Sequence, residues 1–474
     1  MGPIALTALG IPEWVLIITG SGHLLSIISF LFALILLGRL MGEHRHPGST
    51  MAWLMGILFV PYITIPLFLL FGGRKLRTLA GRKRGLHLHG QTPGEGPGQQ
   101  EDPRPTADGN RVELLPDGVE TYRRFMEIIE QARESIHVMT FILWRDDVGR
   151  QVVESLARRA AEGVEVRLLL DALGGLGAKG RFTDPIRKAG GEVAIFMPML
   201  PIHRRWSANL RNHRKLLIAD ERIAMVGGRN IGSEYMGPYL KDDRWMDYSM
   251  VVEGPSVFSL TEVFAADWEF ATGKNIDDRL RIKTIEGIPK AGDVRLQTIA
   301  SGPDVPDDPL YETLMTSFMQ ARKRIWVVTP YFVPDETLLR ILMSQARLGR
   351  DVRLLIPEKS NRMLVDLASR YAQRELARAG AQVYLYQGGM MHTKLVVVDD
   401  EMAMAGSPNL DMRSLYLNFE IATVVHDVDH VQEMAWHVDD LMRKARLYRR
   451  TPHGTQGLVI ESLENVSRLL SPLL

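Results

Sequence analysis

The sequence contains no cysteine among its 474 residues. A chain without thiols has no disulfide framework, no thiolate nucleophile and no cysteine-ligated zinc or iron–sulfur centre. An excess of charge of one sign is missing too, because 57 lysines and arginines balance 56 aspartates and glutamates and leave a net charge of +1. We therefore expect no nucleic-acid partner. The sequence also lacks a dense acidic cluster, which predicts an active site without a metal or another cofactor.

The apolar residues are concentrated near the N-terminus. Two nearly uncharged segments, at about residues 12–40 and 51–71, are each long enough to cross a bilayer core of roughly 30 Å. The first segment lacks the basic start and the cleavage site of a secretory signal. We therefore predict a retained transmembrane hairpin within residues 1–80. A pair of helices buried in a soluble core is the alternative.

Six cations follow the second apolar segment, in the window where positive charge sets the orientation of membrane helices. They are Arg74, Lys75, Arg77, Arg82, Lys83 and Arg84. This position predicts that the rest of the chain faces the cytoplasm. The same cations suit anionic lipid headgroups, but a topology signal alone explains them equally well.

After a Gly- and Pro-rich stretch at residues 81–110, which is predicted to be a flexible linker, the sequence is duplicated. Residues 135–171 and 324–357 each contain two short apolar runs with an amphipathic segment between them. Such runs are typical of strands in a sheet buried on both faces, joined by crossover helices. The pattern predicts two similar α/β halves, at residues 111–280 and 281–474.

Each half contains one copy of a His-x-Lys-x4-Asp motif. The first copy stands in NHRKLLIADERIAMVGGRN and the second in MHTKLVVVDDEMAMAGSPN. In both copies, six residues separate the aspartate from Gly-Gly or Gly-Ser, and an asparagine closes the motif. Two copies at corresponding positions are far stronger evidence for function than one. The candidate catalytic residues are His213, Lys215, Asp220, His392, Lys394 and Asp399.

If each motif is a β-hairpin, alternate side chains share one face. We predict two-residue turns at Glu221–Arg222 and Asp400–Glu401. A longer loop would shift the register. With these turns, the opposed pairs are His213 with Asn230, Lys215 with Gly228, His392 with Asn409, and Lys394 with Ser407.

Such a face suits a phosphodiester. The lysine ammonium and the asparagine amide bind phosphate oxygens, and Gly228 or Ser407 allows the backbone to approach closely. Two faces together place one histidine on each side of a phosphorus atom, so that one imidazole attacks while the other protonates the departing alkoxide. Water or an alcohol then attacks the phosphohistidine. A duplicated fold without catalysis is the alternative.

Other charged residues support this face. Asp220 and Asp399 lie five residues beyond the lysines, so we expect them to fix the turn or a contact between the halves more than to touch substrate. Asp247 and Glu420 each precede a later apolar strand, where a carboxylate would orient an imidazole or form a strand-end salt bridge. A basic cluster would guide an anionic substrate or form a solvated rim. Its members are Arg204, Arg205, Arg211 and Arg214.

The doubled motif resembles that of the phospholipase D superfamily. Within this superfamily, the two-span N-terminus, GGRN, GSPNLDMRSLYLNFE and the RLLSPLL ending resemble bacterial cardiolipin synthases. The resemblance implies two α/β halves with mixed sheets flanked by helices and one shared site. It also implies that the His, Lys and Asp of both motifs are catalytic. The same likeness places the protein in the bacterial inner membrane as a multi-pass protein.

The reaction implied by this resemblance is a phosphatidyl transfer between two phosphatidylglycerol molecules, which releases glycerol and yields cardiolipin. His213 is then the first nucleophile, and His392 is the acid and base. Three alternatives stay open: a membrane-tethered phospholipase D-type hydrolase, another phosphatidyltransferase, and a scaffold that binds lipid without catalysis. The sequence fixes no oligomeric state and is compatible with an oligomer.

Overall fold

The computed structural model divides the chain into two compact units, Met1–Gly73 and Arg74–Leu474. The first predicted span, the six cations after the second span, and residues 81–105 of the predicted linker lie outside the described residues. The structure describes residues 47–60, 62–65, 68, 106–178, 180–198, 210–276, 280, 284–305 and 308–449.

The described part of the smaller unit is helical. Helix α1 spans Pro47–Phe59, and residues 62–65 are helical as well. Trp53 packs edge-on against Phe68, with ring centroids 5.3 Å apart. Among the described residues, no helix is both long enough and apolar enough to cross a membrane. The second predicted span, residues 51–71, is described only in part, and the hairpin stays a prediction.

The first half of the larger unit has helices on a run of strands. Its strands are β1 (Thr106–Leu115), β2 (Ser135–Thr140), β3 (Glu165–Asp171), β4 (Glu192–Phe196), β5 (Leu216–Ala219), β6 (Ile223–Gly227) and β7 (Ser249–Glu253). Its helices are α2 (Gly118–Gln131), α3 (Asp147–Ala161), α4 (Asp184–Lys188) and α5 (Ser256–Thr272).

The second half repeats this order with additions. Its strands are β8 (Val294–Ser301), β9 (Arg324–Val328), β10 (Phe332–Val333), β11 (Asp351–Pro357), β12 (Gln382–Tyr386), β13 (Leu395–Val398), β14 (Met402–Gly406), β15 (Leu410–Asp411), β16 (Glu420–Val425) and β17 (Ala445–Leu447). Its helices are α6 (Pro309–Gln320), α7 (Glu336–Arg347), α8 (Met363–Arg378), α9 (Met412–Tyr416) and α10 (Val428–Arg443).

Fifteen of the described strands form one sheet, in the order β17-β12-β11-β9-β13-β14-β16-β8-β1-β7-β6-β5-β2-β3-β4. The strands β2, β3 and β4 are parallel, as are β9, β11 and β12, whereas the hairpins are antiparallel. The halves meet edge to edge where β1 pairs with β8. The predicted mixed α/β architecture with flanking helices is therefore confirmed.

The boundary predicted for the linker is wrong by a few residues. Strand β1 begins at Thr106, inside the stretch assigned to the linker. The local sequence Thr-Ala-Asp-Gly-Asn is polar and suggests a loop. However, Asn110 is fully buried, and its side-chain amide donates to the carbonyl of Val294 at 3.1 Å. Pairing with β8 thus overrides the local preference.

The motif hairpins form, but the predicted two-residue turns are wrong. Ala219 lies opposite Ile223, and Val398 lies opposite Met402, so that three residues connect each pair of strands. The backbone of Asp220, Glu221 and Asp399 has positive φ angles of 52°, 55° and 52°. The predicted cross-strand pairs are therefore shifted by one residue. The histidines and lysines precede the first strand of each hairpin instead of lying within it.

Both motif aspartates bind backbone amides at the turn. The Asp220 carboxylate accepts hydrogen bonds from the N–H groups of residues 133–135, at 2.7 to 3.1 Å. The Asp399 carboxylate accepts from residues 322–324, at 2.7 to 2.9 Å. These amides lead into β2 and β9. Each aspartate thus fastens its turn to the start of the neighbouring strand, at the opposite end of the hairpin strand from the His-Lys pair.

We predict that Asp220→Ala and Asp399→Ala lower stability more than chemistry. Each change leaves three amide donors without their acceptor, which should reduce the free energy of unfolding by about 1–3 kcal/mol. Turnover per folded molecule should stay within a few-fold. Asp400→Ala is the matched control, because Asp400 makes only surface ion pairs with Lys323 and Arg324. Normal unfolding together with lost turnover would assign these carboxylates to the chemistry instead.

Candidate active site

Two short backbone bridges join the halves beside the motifs. In each bridge, the residue preceding a motif histidine pairs with the residue preceding an acidic side chain of the opposite half. The His213 amide donates to the carbonyl of Phe419 at 2.9 Å, and the His392 amide donates to that of Met246 at 2.6 Å. The bridged pairs are Asn212 with Phe419 and Met246 with Met391.

These bridges bring each histidine to a carboxylate of the other half. The Nδ1 atom of His213 lies 3.0 Å from both carboxylate oxygens of Glu420. The Nδ1 atom of His392 lies 2.6 Å from Oδ2 of Asp247. An ionised carboxylate only accepts hydrogen bonds, so each carboxylate favours a proton on the Nδ1 that it faces and leaves Nε2 for chemistry. Nζ of Lys394 also lies 2.5 Å from Nδ1 of His392. The sequence suggested these carboxylates but not the exchange of partners between halves.

The small residues after each hairpin support these carboxylates. A Cβ atom at Gly228 would lie 2.2 Å from Oδ1 of Asp247, so only glycine leaves room for this carboxylate. At the matching position, the Ser407 hydroxyl donates to Glu420 at 2.5 Å and accepts from the Ile421 amide at 2.9 Å. Ser407 is fully buried. Both residues, predicted to approach phosphate, lie against the carboxylates of Asp247 and Glu420 in the structure.

The two lysines are buried alike, each with 4% of its surface exposed. Lys215 donates to the carbonyl of His213 at 2.5 Å, and Lys394 donates to the carbonyl of His392. Nζ of Lys394 also lies 3.6 Å from Asp247. Burial lowers the pKa of Lys394 to about 8 and the pKa of Lys215 well below its usual value. A bound anion would raise the pKa of each lysine again, because the charged ammonium form would then have a partner of opposite charge.

Burial also sets the protonation of the histidines. It lowers the pKa of His213 to about 4 and that of His392 to about 3, although the facing carboxylates oppose the shift. Lys394 contributes to the lowered pKa of His213, and Lys215 contributes to that of His392, so each motif acts on the other. Both imidazoles are neutral at neutral pH, the state in which Nε2 is nucleophilic. A bound phosphodiester anion would raise both pKa values.

The two asparagines have different surroundings. Oδ1 of Asn230 accepts the Ile142 amide at 3.2 Å and so helps to hold the loop after β2. Oδ1 of Asn409 is buried without a hydrogen-bond partner among the described residues, while its side chain is hydrogen-bonded to Asp411. No group of three or more His, Asp or Glu side chains in the described ranges is arranged to hold a metal ion.

Known proteins resemble this chain over most of its length. The family model described as cardiolipin synthase, PLD-like domain, matches residues 125–268 and 314–442. Cardiolipin synthase 1 of Bacillus anthracis is 33% identical over 466 residues, which cover 91% of this chain and 90% of that protein. The major cardiolipin synthase ClsA of Bacillus subtilis strain 168 is 32% identical, with 96% and 99% covered.

The chain belongs to the cardiolipin synthase family of the phospholipase D superfamily. It is therefore a phosphatidyltransferase of that family, and the resemblance stated from its motifs is confirmed. A second family model, described as phospholipase D-nuclease N-terminal, matches residues 25–73. The crystal structure of phosphatidylserine synthase from Haemophilus influenzae Rd KW20 has a TM-score of 0.57 at 14% identity and covers 77% of this chain and 95% of that one. That likeness concerns the fold alone.

Aromatic rings surround both histidines of this cardiolipin synthase family member, and sequence reasoning missed them. The Phe141 ring meets His213 edge-on at 5.1 Å between centroids, and the Lys215 ammonium lies 5.6 Å from the same ring. Tyr235 and Trp245 lie 5.4 and 5.5 Å from His392. Phe141 lies in an apolar segment, where aromatic residues most often belong to the core. Tyr235 and Trp245 lie in a polar segment of the first half, and no local pattern links them to a histidine of the second half.

A buried arginine ties the first motif to the second half. Arg214 donates two hydrogen bonds of 2.8 Å to Asp267 in α5, and further bonds to the carbonyls of Glu420 and Ser301 at 3.0 and 3.1 Å. Arg214 is fully buried and Arg211 is 4% exposed. A solvated rim is therefore wrong for these two residues of the predicted basic cluster. The other two lie outside the described residues.

We predict that Gly228→Ala removes most activity without unfolding the chain. The added methyl group displaces Asp247, so His392 loses the acceptor that fixes its tautomer, and turnover should fall roughly 100-fold or more. Circular dichroism would verify the fold, and transfer of labelled lipid would measure turnover. Gly177→Ala is the control, because a Cβ atom there meets nothing within 4 Å. Full activity of Gly228→Ala would show that the Asp247 contact is dispensable.

Proposed function

We propose that the chain makes cardiolipin by moving the phosphatidyl group of one phosphatidylglycerol to a hydroxyl of a second one, with release of glycerol. The observation that carries this proposal is the pair of crossed imidazole–carboxylate contacts, which leaves the Nε2 atoms of His213 and His392 free in one site. The family relatives, which are named as cardiolipin synthases, support the choice of substrate.

In the first step, Nε2 of His213 attacks the phosphorus of the donor lipid. The anionic donor lipid raises the pKa of His392, which takes up a proton at Nε2 when the lipid binds. The bond from phosphorus to the glycerol oxygen then breaks, and His392 transfers that proton to the glycerol oxygen. Lys215 and Lys394 stabilise the charge that develops on the phosphoryl oxygens. The products are free glycerol and a phosphatidyl group bound to His213. The order, with His213 first, rests on family resemblance.

In the second step, His392 is neutral and accepts the proton of the hydroxyl group of the acceptor phosphatidylglycerol. The hydroxyl oxygen attacks phosphorus, the bond to Nε2 of His213 breaks, and cardiolipin leaves. His392 is then protonated again and His213 is free, so the cycle closes without any other reactant. Asn230 and Asn409 are proposed to donate their amides to phosphate oxygens during both steps.

The two carboxylates stabilise each imidazole when it carries positive charge. Burial alone would raise their pKa values, but Lys394 and His392 bring the pKa of Asp247 to about 2. His213 does the same for Glu420, whose pKa is also about 2. Both groups are thus ionised at neutral pH and remain acceptors throughout. This role matches that of the third member of a catalytic triad.

We further propose that the two N-terminal apolar segments form a transmembrane hairpin. The bilayer, phosphatidylglycerol and cardiolipin are then the partners of the chain, and the catalytic unit faces the cytoplasm at the bacterial inner membrane. The family match over residues 25–73 supports a shared N-terminal region. Such a hairpin would hold the catalytic unit at the bilayer, where its lipid substrate resides.

Purified full-length protein in detergent or lipid, supplied only with phosphatidylglycerol, should form cardiolipin and glycerol in equal amounts. Accumulation of phosphatidic acid without cardiolipin would identify a hydrolase instead. His213→Ala and His392→Ala should each reduce turnover by about 1,000-fold or more. His430→Ala is the matched control, because His430 pairs with Asp427 outside the site. Near-normal activity in either motif variant would remove that histidine from the mechanism.

A pair of reporters should define the topology. A reporter after Leu474 should report the cytoplasm, and a reporter inserted within residues 41–50, between the two apolar segments, should report the exterior. Enzymatic reporters active on only one side of the membrane provide the measurement. The same location for both would mean that the two segments do not form a spanning hairpin.

A further inference from the structure

Exposed apolar side chains are concentrated at the end of the sheet that carries the active site. Strands β2, β3 and β11 run towards this end. Strands β5 and β13, which follow the catalytic histidines, begin there. The loops and helix starts that follow the strands at this end expose seven large apolar side chains, here called the apolar rim. Its members are Trp144, Leu173, Leu176, Tyr239, Leu240, Met363 and Leu364.

Part of the apolar rim lies on a chain segment that also carries residues of the site. Tyr239 and Leu240, which are 80% and 86% exposed, lie on the segment between β6 and β7 that also supplies Asn230 and Asp247. The Trp144 amide donates to a carbonyl of this segment, that of Ile231, at 2.9 Å. The first half contributes five members and the second half contributes Met363 and Leu364.

Elsewhere in the described part of the larger unit, large apolar side chains are exposed singly. Met319, Leu348 and Val428 lie near the opposite end of the sheet. Trp436 lies on the outer face of α10, and Leu447 lies on the edge strand β17. Scattered residues of this kind are ordinary for a protein surface, whereas a group at one end indicates an interaction site. These residues are Met319, Leu348, Val428, Trp436 and Leu447.

We propose that the apolar rim inserts into the interfacial layer of the lipid bilayer and docks the catalytic unit with its active site facing the membrane. This inference rests on the proposed lipid substrate. Tryptophan and tyrosine favour the membrane interface because they combine an apolar ring with a polar group. Tyr239 and Leu240 are already exposed, so they can enter the bilayer without any need to uncover buried side chains first.

The charges around the apolar rim suit an anionic membrane. Exposed cations lie within one to four residues of rim members in both halves, where they would meet the headgroups of phosphatidylglycerol and cardiolipin. Asp242 and Asp243 follow on the Tyr239-Leu240 loop, and Asp243 pairs with Lys241 at 3.2 Å, which limits the depth of insertion. These flanking cations are Arg145, Lys241, Lys359 and Arg362.

Single cysteines provide a direct measurement, because the chain has none of its own. Spin labels at Leu240→Cys and Met363→Cys, one in each half, are compared with labels at Leu348→Cys and Trp436→Cys in full-length protein on phosphatidylglycerol vesicles. The rim labels should be accessible to oxygen and shielded from a water-soluble nickel chelate, unlike the control labels. Equal water exposure at all four positions would overturn the proposal, as would dipolar coupling between rim labels of two copies.

A paired assay tests the consequence for turnover. The double variant Tyr239→Ser/Leu240→Ser should transfer long-chain phosphatidylglycerol in vesicles about tenfold more slowly, because part of the docking free energy is lost. It should act normally on a short-chain phosphatidylglycerol dissolved as monomers. Leu348→Ser/Trp436→Ser is the matched control and should retain both activities.

The two readouts also separate docking from the proposed reaction. An equal loss on vesicles and on monomers would mean that Tyr239 and Leu240 shape the active site, and the docking proposal would be wrong. Unmodified protein that produced no cardiolipin from either substrate would refute the proposed reaction. The label depths would still decide whether the apolar rim enters a bilayer.

Discussion

The exchange of carboxylates between the halves is the constraint on which the site depends. Asp247 and Glu420 are buried ions, and a buried carboxylate is tolerated only when it is paired and hydrogen-bonded. Their partners are His392 and His213, each from the opposite half. Separating the halves would leave both carboxylates buried without a counterpart or expose the core that covers them. Both halves must therefore be folded and in contact for the site to exist.

The duplicated halves satisfy this constraint with different residues. Asp247 is short, so its carboxylate lies against the backbone and requires glycine at position 228. Glu420 is one methylene longer and reaches a serine hydroxyl at position 407. Arg214 in the first motif reaches the second half through its guanidinium group. The equivalent residue of the second motif is Thr393, and its hydroxyl lies 3.4 Å from the carbonyl of Met246 in the first half. The two halves thus share the imidazole–carboxylate contact and differ in the residues that support it.

The sequence predicted those features that repeat or have a local cause. The motif spacing led to both histidine–lysine pairs, and the apolar runs led to the strands of the mixed sheet. The turn length was wrong because Asp220 and Asp399 adopt positive φ angles without the glycine that usually signals them. The pairing of each histidine with a carboxylate of the other half, and the burial of Arg214, could not be predicted. Both depend on contacts between residues about 50 to 200 positions apart, which no local pattern encodes.

The antiparallel pairing of β1 with β8 has a consequence for how lipids come and go. A ladder of backbone hydrogen bonds passes from one half into the other, with a shift of register between Ala107 and Asn110 in β1. Such a seam does not open like a clamshell, because hinge motion between the halves would break several of these bonds at once. We therefore expect glycerol, a small polar product, and the two lipids to enter and leave the site while the two halves stay joined.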